Sequence, residues 1–278
     1  MLELLTTYWG FYFVAIPDTN GVGVQDLEIV LEELRLYSGW VTDLEKDPEH
    51  RVDQNKINAN IASLYLKRVL AARIAVFKLF LELAVKADGG LLEKHKLSWL
   101  FFQASYPHHP VLKPHPVLKP HPIVRIMNNC FRDASSRALD AWIERLGEIR
   151  VEHKPHLDDF IIGLDEAQRA VRLHPRPFLS ATDDNVFRSI LREIVKTFIK
   201  QPVTLFVSGT GVTMEELQDT VGSGVSKPVG IESFHDLGMF DTWPSLMAFL
   251  ERYLPDTFLK TPSGIILQQR IQEYLLGR

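Results

Sequence analysis

The chain has 278 residues, 46% apolar and 24% charged, with a formal net charge of −4 and one cysteine. That composition belongs to a folded chain of one large or two small domains and excludes a disordered one, while the mild acidity and the lack of a Lys/Arg cluster leave no nucleic-acid footprint. Cys130 cannot build a disulfide framework, no run reaches the roughly 18 apolar residues of a membrane span, and Glu3 stands where a secretory leader carries positive charge, so the chain reads as intracellular, in cytoplasm or nucleus, with no membrane partner.

In chain order, Met1 to Thr7 reads as the last turn of a helix, Gly10 to Ile16 as a buried strand and Asp18 to Gly21 as a turn. Opening in mid-element implies a segment before it, as in a truncated gene model. Gln25 to Leu36 spaces Leu27, Val30, Leu31 and Leu34 as a helix of about three turns. Val52 to Lys86 carries Ile57, Ile61, Leu64, Val69, Ile74, Phe77, Phe80 and Leu81 near the helical period, which predicts one long or bent helix. Leu91 to Ala104, with Trp99, Leu100, Phe101 and Phe102, is a further helix.

HPVLKP then occurs twice, at His109 to Pro114 and His115 to Pro120, and HPIV follows at His121 to Val124. Such a density of proline removes amide donors and fixes φ, so polyproline II is the expectation. Successive histidines of the repeat would lie about 19 Å apart in that conformation, too far for one metal ion. Residues 107–124 are therefore read as a repeat insertion in a surface loop.

Helical pattern resumes from Ile126 or Phe131 to Leu146. Phe160, Ile161, Ile162 and Leu164 form an apolar strand that ends in Asp165 and Glu166, and a proline-broken loop spans His174 to Pro177. Asn185 to Lys200 is an amphipathic helix with Asp183 or Asp184 placed to cap it, and Val203 to Val207 is a second buried strand ending in Ser208-Gly209-Thr210-Gly211. Pro228 to Phe234 is a weaker strand candidate, and Trp243 to Leu254 and Ser263 to Leu276 read as helices. Alternating buried strands and helices predict an α/β fold: a parallel sheet of about four strands flanked by helices, P-loop NTPase-like but incomplete, with a helical extension. The corresponding domains are a core over 1–240 and a lid-like segment over 241–278.

FIIGLDEAQ, Phe160 to Gln168, has the layout of a Walker B strand, which lifts an Asp to the metal of a Mg-nucleotide and a Glu to the attacking water. Asp165 takes the metal role and Glu166 the water-activating one; the competing reading puts both acids at a helix N-terminus, where they suit the dipole. Ser208 and Thr210 stand where a phosphate sensor would, although Ser-Gly-Thr-Gly is also ordinary turn chemistry. Arg169, Arg176 and Arg278 are candidates to neutralise phosphate, against a reading as solvated surface residues. None of the sixteen glycines is followed by Lys, so G-x-x-x-x-G-K-[ST] is absent; Gly21 to Gly23 and Gly222 to Gly224 have the look of phosphate loops, but the second lacks both a consecutive Gly-Lys and a strand immediately before it and reads as a flexible loop.

WGFYFVAIPDTNGVGVQDLE, FIIGLDEAQ, TLFVSGTGVTMEELQD and the tail from Trp243 to Arg278 together resemble the ATPase core of Crinkler-type proteins and related fungal P-loop ATPases of the STAND and AAA-like kind. The resemblance implies ATP hydrolysis with Mg²⁺, Asp165 as metal ligand, Glu166 as the catalytic Glu and Ser208 or Thr210 as sensor; Arg278, read from its own position, is the candidate for binding the nucleotide, and protein partners are expected. Departures at both ends, including the missing phosphate loop, imply a truncated or degenerate member, weakly active or inactive. The alternative is a non-catalytic effector or interaction scaffold that keeps the fold.

Overall fold

The computed structural model describes residues 2–15, 23–46, 48–104, 120–180, 183, 185–199 and 203–209, and parts of 243–275. Two compact units divide at Val229 and Gly230.

The first unit is α/β. Helix α1 (Leu2–Thr7) leads into β1 (Gly10–Val14), followed by α2 (Asp26–Leu36), α3 (Arg51–Asp88), α4 (Glu93–Ala104), α5 (Pro122–Cys130) and α6 (Ser136–Glu152). Then come β2 (Ile161–Asp165), α7 (Ala167–Leu173), β3 (Phe178–Leu179), β4 (Phe187–Arg188), α8 (Leu191–Phe198) and β5 (Thr204–Val207). Three strands form a parallel sheet in the order β1-β2-β5, with Gly10 opposite Ile161 and Ile161 opposite Thr204; β3 and β4 make a separate antiparallel pair. Every residue of β1, and β2 as far as Leu164, is buried, as a parallel sheet covered on both faces requires; β5 is half-buried. The weaker strand candidate, Pro228 to Phe234, lies outside the described residues, as do the expected turn at Asp18 to Gly21 and most of Trp243 to Leu254.

α3 runs unbroken for 38 residues and is closed by Gly89, whose φ of 74 is the left-handed cap glycine adopts without strain. From Leu66 to Ile74 every residue is buried, because α2, α5, α6 and α8 all pack on the helix. Leucine and alanine alone do not fill that stretch. Lys67 donates to Asp140 at 2.7 Å and to Ser136 at 2.9 Å on α6, Arg68 pairs with Glu33 of α2 at 3.4 Å, and Arg73 meets Asp26 of α2. The last pair is fully buried and bidentate: Arg73 Nε and Nη2 each donate to Asp26 at 2.7 Å.

The same guanidinium finishes the sheet. Among the described residues β1 pairs with β2 alone, and three main-chain groups on its other edge are met by side chains. Arg73 Nη1 donates to the Tyr12 carbonyl at 2.7 Å, Gln103 accepts from the Tyr12 amide at 3.0 Å, and the Gly10 carbonyl accepts from Trp99 Nε1 at 2.8 Å and Gln103 Nε2 at 3.1 Å. Side chains of α3 and α4 thus take the place of a further strand at Gly10 and Tyr12. Around them Trp9, Phe11, Phe77, Phe80, Trp99 and Phe160 interlock, with Phe11 and Phe160 centroids 5.0 Å apart and edge to face.

Two expectations change. HPIV belongs to the core: His121, 6% exposed, caps α5 by accepting from the Ile123 amide at 3.2 Å and reaches the Phe102 carbonyl at 3.0 Å, and Pro122 takes the first helical position, where its missing N–H costs nothing. The rest of the tract, 105–119, lies outside the described residues. The helix expected from Asn185 starts at Leu191, because Phe187 and Arg188 pair with Leu179 and Phe178 as a strand. Asp183 therefore caps no helix; its carboxylate accepts from the Asn185 amide at 2.8 Å in a local turn.

In the second unit α9 (Asp256–Leu259) precedes α10 (Pro262–Leu275). α10 begins with a Thr261 cap, whose hydroxyl accepts from the Gly264 amide at 3.1 Å, rather than at Ser263. Among the described residues no helix is long and apolar enough to cross a membrane.

Two measurements test this frame. Asp26→Ala leaves Arg73 charged and buried without its counter-ion, so urea unfolding should show a loss of about 3–5 kcal/mol. His174 is fully buried, accepting from Trp40 Nε1 at 3.1 Å and facing the Leu31 carbonyl at 2.8 Å; burial lowers its pKa below the usual 6.5 and does the same for His121. Below that value the unfolded chain binds more protons than the folded one, so stability should be level above about pH 6.5 and fall as pH drops below it, with His174→Gln flattening the fall.

Candidate functional site

β2 is the middle strand, so its carboxyl end is flanked on both sides, and Asp165, half-buried, is its last residue. The register sets Tyr12 of β1 beside Gly163, two residues before Asp165 on the same face of the pleat. Because Gly163 carries no side chain, the Tyr12 ring extends along the strand and its hydroxyl donates to Asp165 Oδ2 at 2.9 Å. From the other side Ser208, immediately after β5, donates its hydroxyl to Asp165 Oδ1 at 2.5 Å. The Glu166 amide donates to the same oxygen at 2.9 Å. Donors from the middle of β1, the residue after β2 and the residue after β5 thus converge on one carboxylate.

Burial, followed by the charge of Asp165 and the bond to it, pushes the Tyr12 phenol above its usual range, while Arg73 opposes the shift. Tyr12 is accordingly a neutral donor at physiological pH. Glu166 follows at φ 56 and ψ 33, and its carboxylate accepts from Gln168 Nε2 at 2.5 Å. Backbone bonds lock the corner: the Ala167 amide donates to the Ser208 carbonyl at 3.0 Å and the Ser208 amide to Leu164 at 2.8 Å. Glu166 is the N-cap residue of α7 and its side chain makes no capping bond, so the two acids also stand at a helix N-terminus, as the competing reading has it.

Of the expected site residues, Asp165, Glu166 and Ser208 come together; Thr210 and Arg278 lie outside the described residues. Ser208 spends its hydroxyl on Asp165. Arg169 is exposed on α7. Arg176 is engaged elsewhere, with Glu45 and, at 3.5 Å, Asp43, beside a short bridge to the 43–46 turn. Gly23, with φ 101, packs on Val14, and the remaining glycines of the two expected loops are outside the described set.

Sequence reasoning missed Tyr12 and Gln168. The signal for Tyr12 was a lone hydroxyl in the otherwise apolar strand GFYFV; for Gln168 it was a polar residue one turn after the acids.

A carboxylate offers about four acceptor positions, and three donors leave Asp165 about one. That suits Mg²⁺, which is held by one or two carboxylates together with phosphate oxygens and water. An all-protein cage is a different matter: among the described residues no group of three or more His, Cys, Asp or Glu is placed to hold a metal ion. Comparison of the chain with protein-family models, curated proteins and solved structures gave no match in any of the three.

Ser208→Ala and Tyr12→Phe should each cost about 1.5–3 kcal/mol in chemical denaturation, since each removes one donor from a charged acceptor. Both act on one carboxylate, so the double variant should depart from the sum.

Proposed function

We propose that the chain is part of the core of a P-loop-type ATPase and carries the metal-side wall of a Mg-ATP site. One observation carries this reading: the carboxyl end of a middle parallel strand presents Asp165, with Ser208, just past the end of the adjacent strand, bonded to it. Ligands of open α/β sheets bind outside such strand ends. In this reading β2 is the Walker B strand and β5 the sensor strand, within a sheet that has at least one further strand in the complete fold. Asp165 would hold Mg²⁺, which neutralises charge on the β- and γ-phosphate oxygens.

The chain's own residues divide the remaining work. Tyr12 and Ser208 fix the plane of the Asp165 carboxylate, and Glu166 accepts the proton of an attacking water. A cradle of backbone amides with a Lys, the usual source of grip on the phosphates, has no counterpart in the sequence, as no glycine precedes a lysine. The chain by itself is therefore weakly active or inactive.

A second reading, a protein-interaction scaffold that keeps the hydrolase fold, draws on the fact that Asp165 is already held by three protein donors.

Titration with Mn²⁺-ATP separates the two. At millimolar concentration it should broaden the NMR signals of Gly163, Glu166 and Ser208, and Asp165→Asn should abolish the effect. Broadening spread evenly over surface acids would favour the scaffold. Micromolar Mg-ATP affinity would overturn the assignment of an incomplete site.

A further inference from the structure

Three unusual features fall on neighbouring residues. Glu166, with φ 56, is the one non-glycine residue with positive φ among those described, a conformation that persists only where its surroundings hold it. Gln168, 6% exposed, donates from Nε2 to Glu166 Oε2 at 2.5 Å. Its Oε1 is buried and has no hydrogen-bond partner among the described residues. The orientation of this amide follows from chemistry, since the reversed form would set its oxygen against a carboxylate.

The orphaned oxygen rests on Gly209, the residue after Ser208. A Cβ added at Gly209 would run into Gln168 Oε1 and stand 3.1 and 3.2 Å from the amide nitrogens of Gln168 and Ala167. Ser208 and Gly209 therefore serve the two acids separately: the hydroxyl of the first holds Asp165, and the bare α-carbon of the second makes room for the amide that holds Glu166.

We infer that Gln168 is the positioning residue of Glu166: it grips one carboxylate oxygen, maintains the left-handed backbone, and through Gly209 ties the pose of Glu166 to the tip of β5. Glu166 Oε1 is then left to accept from water. The catalytic meaning of that pose rests on the hydrolase reading; the clamp does not.

NMR of the full chain without nucleotide tests it. Wild type should show the strong intraresidue HN–Hα cross-peak of positive φ at Glu166, and one Gln168 side-chain amide proton shifted downfield and slow to exchange. Gln168→Met, close in shape but without the amide, should lose the Glu166 signature while keeping the dispersed spectrum of the fold. Gly209→Ala, which displaces an intact amide, should lose the protected proton and the signature together. A Gln168→Met protein that keeps the Glu166 cross-peak overturns the inference, and that variant decides the matter if Gly209→Ala does not fold. Mn²⁺-ATP broadening on the same samples is a separate readout. Its absence removes the hydrolase reading and leaves the clamp standing, and loss of the clamp leaves the Asp165 result unaffected.

Discussion

The buried pair of Arg73 and Asp26 is the constraint on which the rest of the first unit depends. A guanidinium with no exposure must find acceptors for nearly all of its donors, and it finds them on three elements: Asp26 opening α2, the Tyr12 carbonyl of β1 and Gln103 of α4. Its face lies 4.1 Å from the centroid of Phe13, so the charge is shielded by an aromatic ring as well. Asp26 also accepts from the Leu27 amide at 3.0 Å, placing negative charge at the start of a helix, where the dipole favours it. One arginine on the central helix therefore sets where α2 begins, where the sheet stops and how α4 lies against it.

That constraint reaches the candidate site through a single residue. Tyr12 gives its backbone to Arg73 and Gln103 on the closed edge of β1 and its hydroxyl to Asp165 across the sheet. The direction of the Asp165 carboxylate is thus fixed by a network that begins in the hydrophobic core, on one side, and by Ser208 at the tip of β5 on the other. Under the proposed function, Asp165 would need preorganisation of this kind, because Mg²⁺ tolerates little departure from octahedral geometry.

Much of this was legible in the sequence. The strands at Gly10, Phe160 and Val203, the long helix after Val52, and the acids at the end of FIIGLDE follow from apolar runs and the helical period. What periodicity could not reveal were the polar residues inside those runs. Lys67, Arg68 and Arg73 interrupt the apolar pattern and give no reading of their own, whereas each is buried against an acid from α2 or α6, a pairing set by tertiary contact. Phe187 and Arg188 fit a helical face as well as a strand, and the choice was made by their partners at Phe178 and Leu179. Tyr12 and Gln168 belong to the same class, since their significance lies in what stands across from them.

The anchoring of His121 has an evolutionary consequence. Its imidazole reaches the Phe102 carbonyl at 3.0 Å while capping α5, so the chain leaving α4 and the chain entering α5 are stapled together at their roots. Because these roots are joined by described residues alone, gain or loss of an HPVLKP unit by slippage during replication would leave the junction of α4 and α5 as it stands.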